Sequence, residues 1–273
     1  DRFLKTSVPE GTIDIYPLMN SLAFEIVINT LFNADIPAKA VRELSNFITE
    51  AQDFFIKDVR QPHKSWWYSL SGEVARNIRK AERARAIIKD IIRQRKSSGK
   101  KFNDLLDMLM DARYEDTGEG MREDQIIDEI LVLIIAGHET TANTLSWTLY
   151  LLAEHAPELE KLRTLTKNAG IPEIIKHPYL NAIISESMRL YPPAWISDRV
   201  TLSDDVIKTY SFPKETVVLL FYYGLHRNEA HWENATSFTP GRFLDPQQDK
   251  SKVYYPFGGG PRLCIGNNFA IAE

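Results

Sequence analysis

The segment from Arg122 to Ala153 constrains the fold more than any other part of the chain. It contains no proline, its one glycine is Gly137, and its middle, residues 130–136, reads Ile-Leu-Val-Leu-Ile-Ile-Ala. A helix that is apolar all round is buried on every side. At 1.5 Å per residue this helix would extend roughly 48 Å, about the width of a medium-sized domain. The segment therefore predicts a buried helix that crosses the molecule as a structural axis.

Helical spacing also characterises the first third of the chain and the region that follows the long segment. Asp14 and Pro17 supply start signals for a first helix. Its apolar residues recur at helical spacing and are Ile15, Leu18, Met19, Leu22 and Ile26. A later helix is predicted to begin near Pro178 and to end before Pro192 and Pro193. Most of the chain up to this point is therefore expected to be helical.

The sequence pattern changes after residue 193. Short β-type runs lie between Thr201 and Phe221 and predict a small sheet. Residues 228–260 are rich in proline, glycine and polar side chains and predict a meandering loop. We therefore expect a mainly α chain with a small β region. Its single domain would comprise a mainly helical part at 1–193, a small sheet region at 194–227, and a meander with a cysteine loop at 228–273.

The net charge, the cysteine count and the lengths of the apolar runs argue against several classes of protein. A formal net charge of -4 gives no global electrostatic reason to expect nucleic-acid binding. One cysteine cannot form an intrachain disulfide, which favours a cytoplasmic location. No stretch reaches the roughly 18 uninterrupted apolar residues of a transmembrane helix, and the best candidate, Ile15 to Phe32, is broken by polar residues. Asp1 begins a polar segment without the pattern of a signal peptide.

Residues 74–101 combine a sparse apolar pattern with many bases. The bases are Arg76, Arg79, Lys80, Arg83, Arg85, Lys89, Arg93, Arg95 and Lys96. Such a segment would suit an anionic membrane or an anionic partner surface. The preferred interpretation is a solvated helix face, because Glu73, Glu82 and Asp90 lie among the bases.

The densest group of informative residues surrounds the only cysteine, Cys264. From residue 255 to 266 the chain reads Tyr-Pro-Phe-Gly-Gly-Gly-Pro-Arg-Leu-Cys-Ile-Gly. Three consecutive glycines permit a backbone path closed to other residues and a close approach to a flat object. A helix that begins near Asn267 would place Cys264 just before a helix N-terminus, which favours a thiolate. Arg262 adds a cation for the sulfur or for a bound carboxylate, and Phe257 would shield the sulfur from water. An isolated cysteine is usually a small buried hydrophobe, but this setting favours a functional thiol.

This loop resembles the haem-binding loop of the cytochrome P-450 family. The fixed positions of the family pattern are occupied by Phe257, Gly260, Arg262, Cys264 and Gly266. The resemblance implies that the Cys264 thiolate holds the iron of haem b and that the loop glycines, Gly258 included, lie against the cofactor. In this family the thiolate pushes electron density toward O–O cleavage. It also implies the cytochrome P-450 fold, in which the long central helix crosses over the haem.

The long helix carries a second resemblance, at residues 136–141, which read Ala-Gly-His-Glu-Thr-Thr. This stretch is similar to the oxygen-activation motif of the family. The resemblance implies that Ala136 and Gly137 adjoin the haem and that Glu139 and Thr140 form an acid–alcohol pair that delivers protons to dioxygen. A buried acid is costly unless it finds partners or serves proton delivery, and Gly137 would let the helix loosen so that water enters. The alternative interpretation is a structural capping or packing cluster.

Glu186 and Arg189 lie three residues apart on one helix face, a spacing that by itself is typical of a weak surface salt bridge. Here the pair precedes Leu-Tyr-Pro-Pro at residues 190–193, which resembles the glutamate–arginine helix of the family. Arg242 matches the third member of the structural triad. The resemblance assigns these three residues to scaffolding behind the haem. Gly241 stands where the family usually has a glutamate.

The region after Pro193 is expected to face the cofactor and the substrate. The resemblance places Arg199 on a haem propionate, where an arginine–carboxylate contact suits the role. The alternative is a surface arginine near Asp198. The segment that resembles the substrate-pocket lining is Ala194, Trp195 and Ile196, although Trp195 would equally suit a core position. Glu215 replaces a glycine that is frequent in the turn before the next strand, which leaves the turn geometry open.

The resemblance implies a monooxygenase that inserts one oxygen atom from O₂ into an organic, apolar substrate. Electrons would come from NAD(P)H through a flavoprotein reductase or a ferredoxin. A peroxide-driven peroxygenase is one alternative, but it would not need the Glu139–Thr140 relay. A non-catalytic haem-binding or electron-transfer protein is another, in which the pair would have no purpose. Family members extend beyond both ends of this sequence, so the resemblance implies a partial catalytic domain and leaves membrane anchoring upstream of Asp1 open.

Overall fold

A computed structural model describes residues 12–33, 36–246 and 250–273. Of the described residues, 62% are helical and 6% lie in strands, which confirms the mainly α fold with a small β region. The α-helices of the described residues are Ile15–Leu31, Ala38–Arg60, Ser65–Leu70, Glu73–Ser98, Leu105–Asp111, Glu123–Glu154, Ala156–Thr166, Ile171–Ile175, Pro178–Leu190, Tyr222–Leu225 and Asn267–Ala272. Short 3₁₀ helices are Pro62–Lys64, Pro240–Phe243 and Gly260–Arg262. The prediction about Asp1 lies outside the described residues.

Contacts divide the chain into two compact units. One comprises Ser21–Glu139, and the other comprises Asp1–Asn20 and Thr140–Glu273. The long helix Glu123–Glu154 contributes residues to both, and the division falls between Glu139 and Thr140.

The Ser21–Glu139 unit has its core among amphipathic helices. The helix Glu73–Ser98 buries Ala84, Ile88 and Ile92, which are spaced four residues apart and so lie on one face. The helix Ala38–Arg60 buries Leu44 and Ile48 in the same way. These residues pack in one cluster with buried residues of the first and the long helix.

The basic segment is a largely solvated helix face, with one exception. Arg83 pairs with Glu43, and Lys80 pairs with Glu50, in exposed or half-exposed bridges. Arg95 does not belong to that face, because its side chain is only 4% exposed and contacts two acids. It donates to Asp104 Oδ2 at 2.7 Å and to Asp107 Oδ1 at 2.6 Å. Placing Arg95 among the surface bases was therefore wrong, because the charges that compensate its burial come from the next helix.

The long helix runs from Glu123 to Glu154, close to the predicted bounds, but its apolar middle is not buried on every side. Ile130 and Ile134 are fully buried, whereas Val132 is 59% and Ile135 is 38% exposed. Within the Ser21–Glu139 unit, the neighbouring helices cover only the side that carries Ile130 and Ile134. The prediction of all-round burial was wrong for this reason. An apolar composition sets how much surface a helix would gain by burial, not which side finds a neighbour.

The Thr140–Glu273 unit packs the predicted helix Pro178–Leu190 against the end of the long helix. Its core contains Leu151, Leu152, Tyr179, Ile183, Leu190 and Phe238. In the part of this unit that the structure describes, four strands form two antiparallel pairs: β1 (Ser197–Val200) with β4 (Val217–Leu220), and β2 (Asp205–Ile207) with β3 (Tyr210–Phe212). The small β region is thus confirmed. None of the described helices combines the length and the apolar composition that a membrane span requires.

Candidate functional site

Two glycines shape the loop that carries Cys264. Gly258 has φ +71° and Gly260 has φ +67°, a left-handed conformation that side chains disfavour. Between them and the cysteine, the backbone forms the short 3₁₀ turn Gly260–Arg262. The backbone N–H of Cys264 donates to the carbonyl oxygen of Phe257 at 3.0 Å. This bond closes the loop on itself and fixes the position of Cys264 relative to Phe257.

Cys264 itself is exposed within the described part of the chain. Leu263 is 50% exposed, and Ile265 is 93% exposed, so the thiol is flanked by uncovered apolar side chains. Gly266 lies beside the sulfur, because a Cβ on it would be 4.0 Å from Cys264 Sγ. The helix Asn267–Ala272 begins three residues after the cysteine. The thiol is therefore exposed between two exposed apolar side chains, which does not fit a small buried hydrophobe.

A conventional metal centre of several side chains is not found in the described residues. No three His, Cys, Asp or Glu side chains there lie close enough to hold an ion. A single thiolate is sufficient when a porphyrin supplies the other ligands of an iron. Cys264 is therefore compatible with an iron ligand of that type.

The predicted propionate and pocket residues lie on the surface of their unit. Arg199 is exposed on β1, opposite Val218 of β4, and donates to the backbone carbonyl of Asp198 at 2.6 Å. Arg262 is also exposed. The carboxylate contacts predicted for these two arginines stay predictions. The surface positions leave both guanidinium groups accessible.

The pocket-lining prediction concerns Ala194, Trp195 and Ile196. Ala194 is exposed and Ile196 is half-buried. Trp195 is 53% exposed and meets Phe221 edge to face, with ring centroids 6.1 Å apart. The alternative that Trp195 belongs to the core is therefore wrong. Its exposed ring leaves room for a contact with a substrate.

Glu139 has a partner that the sequence did not indicate. In the Ser21–Glu139 unit, Gln52 Nε2 of the helix Ala38–Arg60 donates to Glu139 Oε2. Both side chains are half-buried. Because the two residues are 87 positions apart, helical periodicity carries no signal for this contact. The bond holds the carboxylate that the resemblance assigns to proton delivery.

Gly137 provides close packing in the same unit. A Cβ on this residue would lie 3.2 Å from Val27 Cγ2, closer than ordinary contact. The helical structure continues through Gly137 without interruption. The predicted loosening of the helix for water stays a prediction, and Ala136 beside it is exposed.

Thr140 and Thr141, the first two residues of the Thr140–Glu273 segment, differ in their surroundings. Thr140 is exposed, whereas Thr141 is buried and donates from its hydroxyl to Glu273 Oε2 at 2.8 Å. Burial raises the pKa of the Glu273 carboxyl, while the Thr141 hydrogen bond opposes that rise. Thr141 therefore ties the long helix to the helix that follows Cys264, whereas Thr140 lies on the exposed side of the long helix.

The structure brings Glu186, Arg189 and Arg242 together in one buried ionic network. Arg189 Nε and Nη2 bind the two carboxylate oxygens of Glu186 at 2.7 and 2.8 Å. Arg242 Nε donates to Glu186 Oε1 at 3.1 Å, and the backbone N–H of Thr239 donates to the same oxygen at 2.9 Å. Two guanidinium groups and a backbone N–H thus compensate one buried carboxylate. The network pins the 3₁₀ turn Pro240–Phe243 against the helix Pro178–Leu190.

His226 connects this network to the cysteine loop, and sequence reasoning missed it. It is fully buried directly after the helix Tyr222–Leu225. Its carbonyl oxygen accepts from Arg189 Nη1 at 2.7 Å. Its ring Nε2 accepts from the backbone N–H of Tyr255 at 2.9 Å. The pattern around residue 226 offers no spacing signal, because both partners belong to distant parts of the chain.

Comparisons with known proteins identify the family of the chain. The family model described as Cytochrome P450 matches residues 2–273. Cyclooctat-9-en-7-ol 5-monooxygenase of Streptomyces melanosporofaciens is 30% identical over 97% of this chain and 60% of its own length. Cytochrome P450 4A7 of Oryctolagus cuniculus is 29% identical over 100% of this chain and 58% of its own length. The chain thus spans about three fifths of the length of these relatives.

A solved structure shows the same fold. The heme domain of cytochrome P450DA superposes with a TM-score of 0.85 and 22% identity, over 97% of this chain and 60% of that one. The predicted fold is thereby confirmed. With its cysteine loop and a family match along nearly its whole length, the chain belongs to the cytochrome P450 family.

Proposed function

We propose that the protein containing this chain is a haem-thiolate monooxygenase. It inserts one atom of O₂ into an organic substrate and reduces the other to water, using two electrons from NAD(P)H. A flavoprotein reductase or a ferredoxin delivers the electrons. The observation that carries the proposal is the exposed thiol of Cys264, which lies between the exposed side chains of Leu263 and Ile265. The backbone N–H of the same residue donates to the Phe257 carbonyl in a glycine-shaped loop.

The residues present fit a haem. Exposed Leu263 and Ile265 would pack on a flat apolar ring, and Gly258 and Gly260 would let the backbone approach it closely. Cys264 would bind the iron as a thiolate. When bound, the haem supplies an iron that activates dioxygen and whose reactivity the thiolate tunes.

Charged residues of the Thr140–Glu273 unit would orient the cofactor. Arg199 and Arg262 are exposed and would each bind a propionate, since a guanidinium suits a carboxylate geometrically. The buried network of Glu186, Arg189 and Arg242 would act as scaffolding behind the loop.

Proton delivery is assigned to Glu139 and Thr140. Glu139, held by Gln52, would take a proton from solvent and pass it to the hydroxyl of the exposed Thr140, from which it reaches the reacting oxygen. This role separates an oxygen-using monooxygenase from a peroxide-using enzyme, because peroxide already carries the protons that the relay would supply.

The substrate is proposed to be a largely apolar organic molecule. Trp195 and Ala194 offer exposed apolar surface within the segment assigned to the pocket. One relative is named for the oxidation of cyclooctat-9-en-7-ol, a substrate that is mostly hydrocarbon. A carbon-rich substrate therefore suits both observations.

The carbon monoxide difference spectrum of the reduced full-length protein tests the proposal. We expect the strongly red-shifted Soret band of thiolate-bound haem, and we expect Cys264→His to replace it with a histidine-type band. Since the chain contains one cysteine, no other thiol of these residues can substitute for Cys264. A wild-type protein that binds no haem, or shows a histidine-type band, would refute the proposal.

A further inference from the structure

We infer that His226 is a positioning residue that holds the start of the cysteine loop in register with the Glu186–Arg189–Arg242 network. The inference rests on the proposed function, since it takes Cys264 to be the iron ligand. It adds a residue to the site that neither the family pattern around Cys264 nor the triad contains.

His226 binds both structures at once. Its backbone oxygen accepts from Arg189 Nη1 at 2.7 Å, so the residue is attached to the buried network. Its imidazole Nε2 accepts from the N–H of Tyr255 at 2.9 Å, so the first residue of the loop is attached to the imidazole. Tyr255 in turn accepts from the N–H of Gly258 at 3.2 Å. A continuous set of hydrogen bonds therefore leads from Arg189 to the turn that precedes Cys264.

The bond from Tyr255 determines the protonation state of the ring. A backbone N–H can only donate, so Nε2 must carry a lone pair and the proton must lie on Nδ1. Burial, followed by the nearby Arg189 cation, lowers the pKa of His226 to about 4. The ring is accordingly neutral near pH 7, as an acceptor in this position requires.

Two tyrosines restrict the orientation of the imidazole. The ring centroids of His226 and Tyr254 are 5.4 Å apart, and those of His226 and Tyr222 are 6.5 Å apart. Both tyrosines are themselves anchored, Tyr254 by a hydrogen bond to the Ser185 carbonyl at 2.9 Å and Tyr222 by one with Ser197 Oγ at 2.8 Å. The two rings therefore hold the imidazole, and with it the acceptor Nε2, in one orientation.

Removal of the acceptor would leave the Tyr255 N–H without its partner and release the start of the loop. Further along the loop, Cys264 is held by the carbonyl of Phe257, only two residues after Tyr255. A shift at Tyr255 therefore reaches Phe257 and, through its carbonyl, the cysteine. Loss of thiolate ligation is the expected consequence, ahead of any loss of the fold.

The test compares three variants of the full-length, haem-loaded protein. His226→Phe keeps a ring of similar size but has no acceptor, whereas His226→Gln keeps an acceptor oxygen. His155→Phe is the matched control, because His155 lies in the same unit and its ring Nδ1 donates to the Leu151 carbonyl near the end of the long helix, away from the cysteine loop. We expect His226→Phe to lose at least about half of its thiolate-type Soret band on incubation, while His226→Gln and His155→Phe retain it.

Far-UV circular dichroism of the same samples separates loop release from unfolding. A folded His226→Phe that keeps the thiolate band as fully as wild type overturns the inference but leaves the proposed function intact. If the wild type itself lacks the band, the proposed function fails, and the inference fails with it.

A second measurement needs no variant, so it tests the role of His226 even if His226→Phe does not fold. Nitrogen-15 NMR of the reduced, carbon monoxide-bound wild type reports which ring nitrogen of His226 carries the proton. We expect an unprotonated Nε2 at neutral pH, with a coupling to the Tyr255 amide. A protonated Nε2, in the neutral ring or in an imidazolium, overturns the inference.

Discussion

All five N–H groups of the buried Arg189 side chain have an acceptor. Two are the oxygens of Glu186, and three are backbone carbonyls, those of His226, Ala235 and Ser237. The planar fork of a guanidinium can serve this many acceptors, whereas an ammonium has three donors and no fixed plane. At the scale of the residue, the pairing with Glu186 follows from sequence spacing. The three carbonyls come from 37 to 48 positions away and have no local signature.

Glu215 adopts a backbone conformation that suits glycine. Its φ is +67°, and its backbone N–H donates to the Thr201 carbonyl at 2.9 Å. The turn geometry that the sequence left open is therefore the left-handed one, taken here by a residue with a Cβ. Since a left-handed residue with a Cβ costs about 1–2 kcal/mol, the turn stores strain.

Replacement of this glutamate tests the strain. Glu215→Gly is expected to raise the free energy of unfolding by about 0.5–1 kcal/mol, because relief of the left-handed conformation exceeds the added entropy of the unfolded chain. Lys214→Gly, at the preceding exposed position without a positive φ, should lower it instead. Urea unfolding measures the free energy of unfolding of both variants. Equal destabilisation by the two substitutions would show that the left-handed conformation of Glu215 is not strained.

In the proposed mechanism, the Thr140 hydroxyl is needed for turnover with O₂ but not for turnover with peroxide. Thr140→Ala is expected to lower product formation with O₂ and reductase by at least about tenfold, because the relay loses its hydroxyl. Turnover with hydrogen peroxide should remain near the wild-type level. Thr164→Ala serves as the control, since Thr164 is an exposed helical threonine as well, and its hydroxyl donates to the Glu160 carbonyl of its own helix. An unchanged rate with O₂ would remove Thr140 from the mechanism and favour a peroxygenase.

At the scale of elements, a buried ionic cluster joins the helices Glu73–Ser98 and Leu105–Asp111. Asp104 caps the second helix by accepting from the Asp107 N–H at 2.9 Å, and both acids bind Arg95. Burial opposes ionisation of Asp107, but hydrogen bonds from Arg95 and from the N–H groups of Phe102 and Asn103 outweigh it and lower its pKa. The cluster thus sets how the chain turns between the two helices.

Replacement of Arg95 measures how much its positive charge stabilises the connection between the helices Glu73–Ser98 and Leu105–Asp111. Arg95→Met keeps the apolar bulk but leaves two buried carboxylates uncompensated, so we expect a loss of about 3–5 kcal/mol in unfolding free energy. Arg93→Met, two positions earlier on the exposed side, should change it by no more than about 0.5 kcal/mol. Chemical denaturation compares the two, and similar midpoints would show that the Arg95 cluster contributes little.

For the whole molecule, acid should destabilise the fold through His226. The folded-state pKa of this residue is about 4, below its ordinary value near 6.5. Between these values the unfolded chain binds the proton and the folded chain does not, so stability falls as the pH drops from about 6.5 towards about 4. The loss from this residue amounts to about 3 kcal/mol at most.

Other groups near His226 set the background of this effect. Arg189 lies close and disfavours the charged ring, and burial raises the pKa of Tyr254 beyond any relevant range. Burial lowers the pKa of His138 in the Ser21–Glu139 unit, so this residue also lowers the stability of the fold as the pH falls. Glu273 has the opposite effect, because burial raises its pKa. Urea unfolding at about pH 7 and about pH 5 should therefore show a smaller difference for His226→Gln than for wild type. Identical differences would assign the acid sensitivity to other groups.

The sequence by itself determined the elements and the chemistry of one loop. The helices and the small β region follow from the spacing of apolar residues and from prolines, both of which act over a few positions. The role proposed for Cys264 follows from glycines, an arginine and a cysteine within ten residues. Such features are local, so a linear sequence displays them.

Only the tertiary structure decided which groups meet across the chain. It exposed Val132 and Ile135 on one side of an apolar helix, buried Arg95 with two acids, and gave Glu139 its partner Gln52. It also placed His226 between Arg189 and the cysteine loop. Composition sets the free energy available from burial or pairing, but the partner that receives each group is chosen by packing of distant segments. Local spacing carries no trace of that choice.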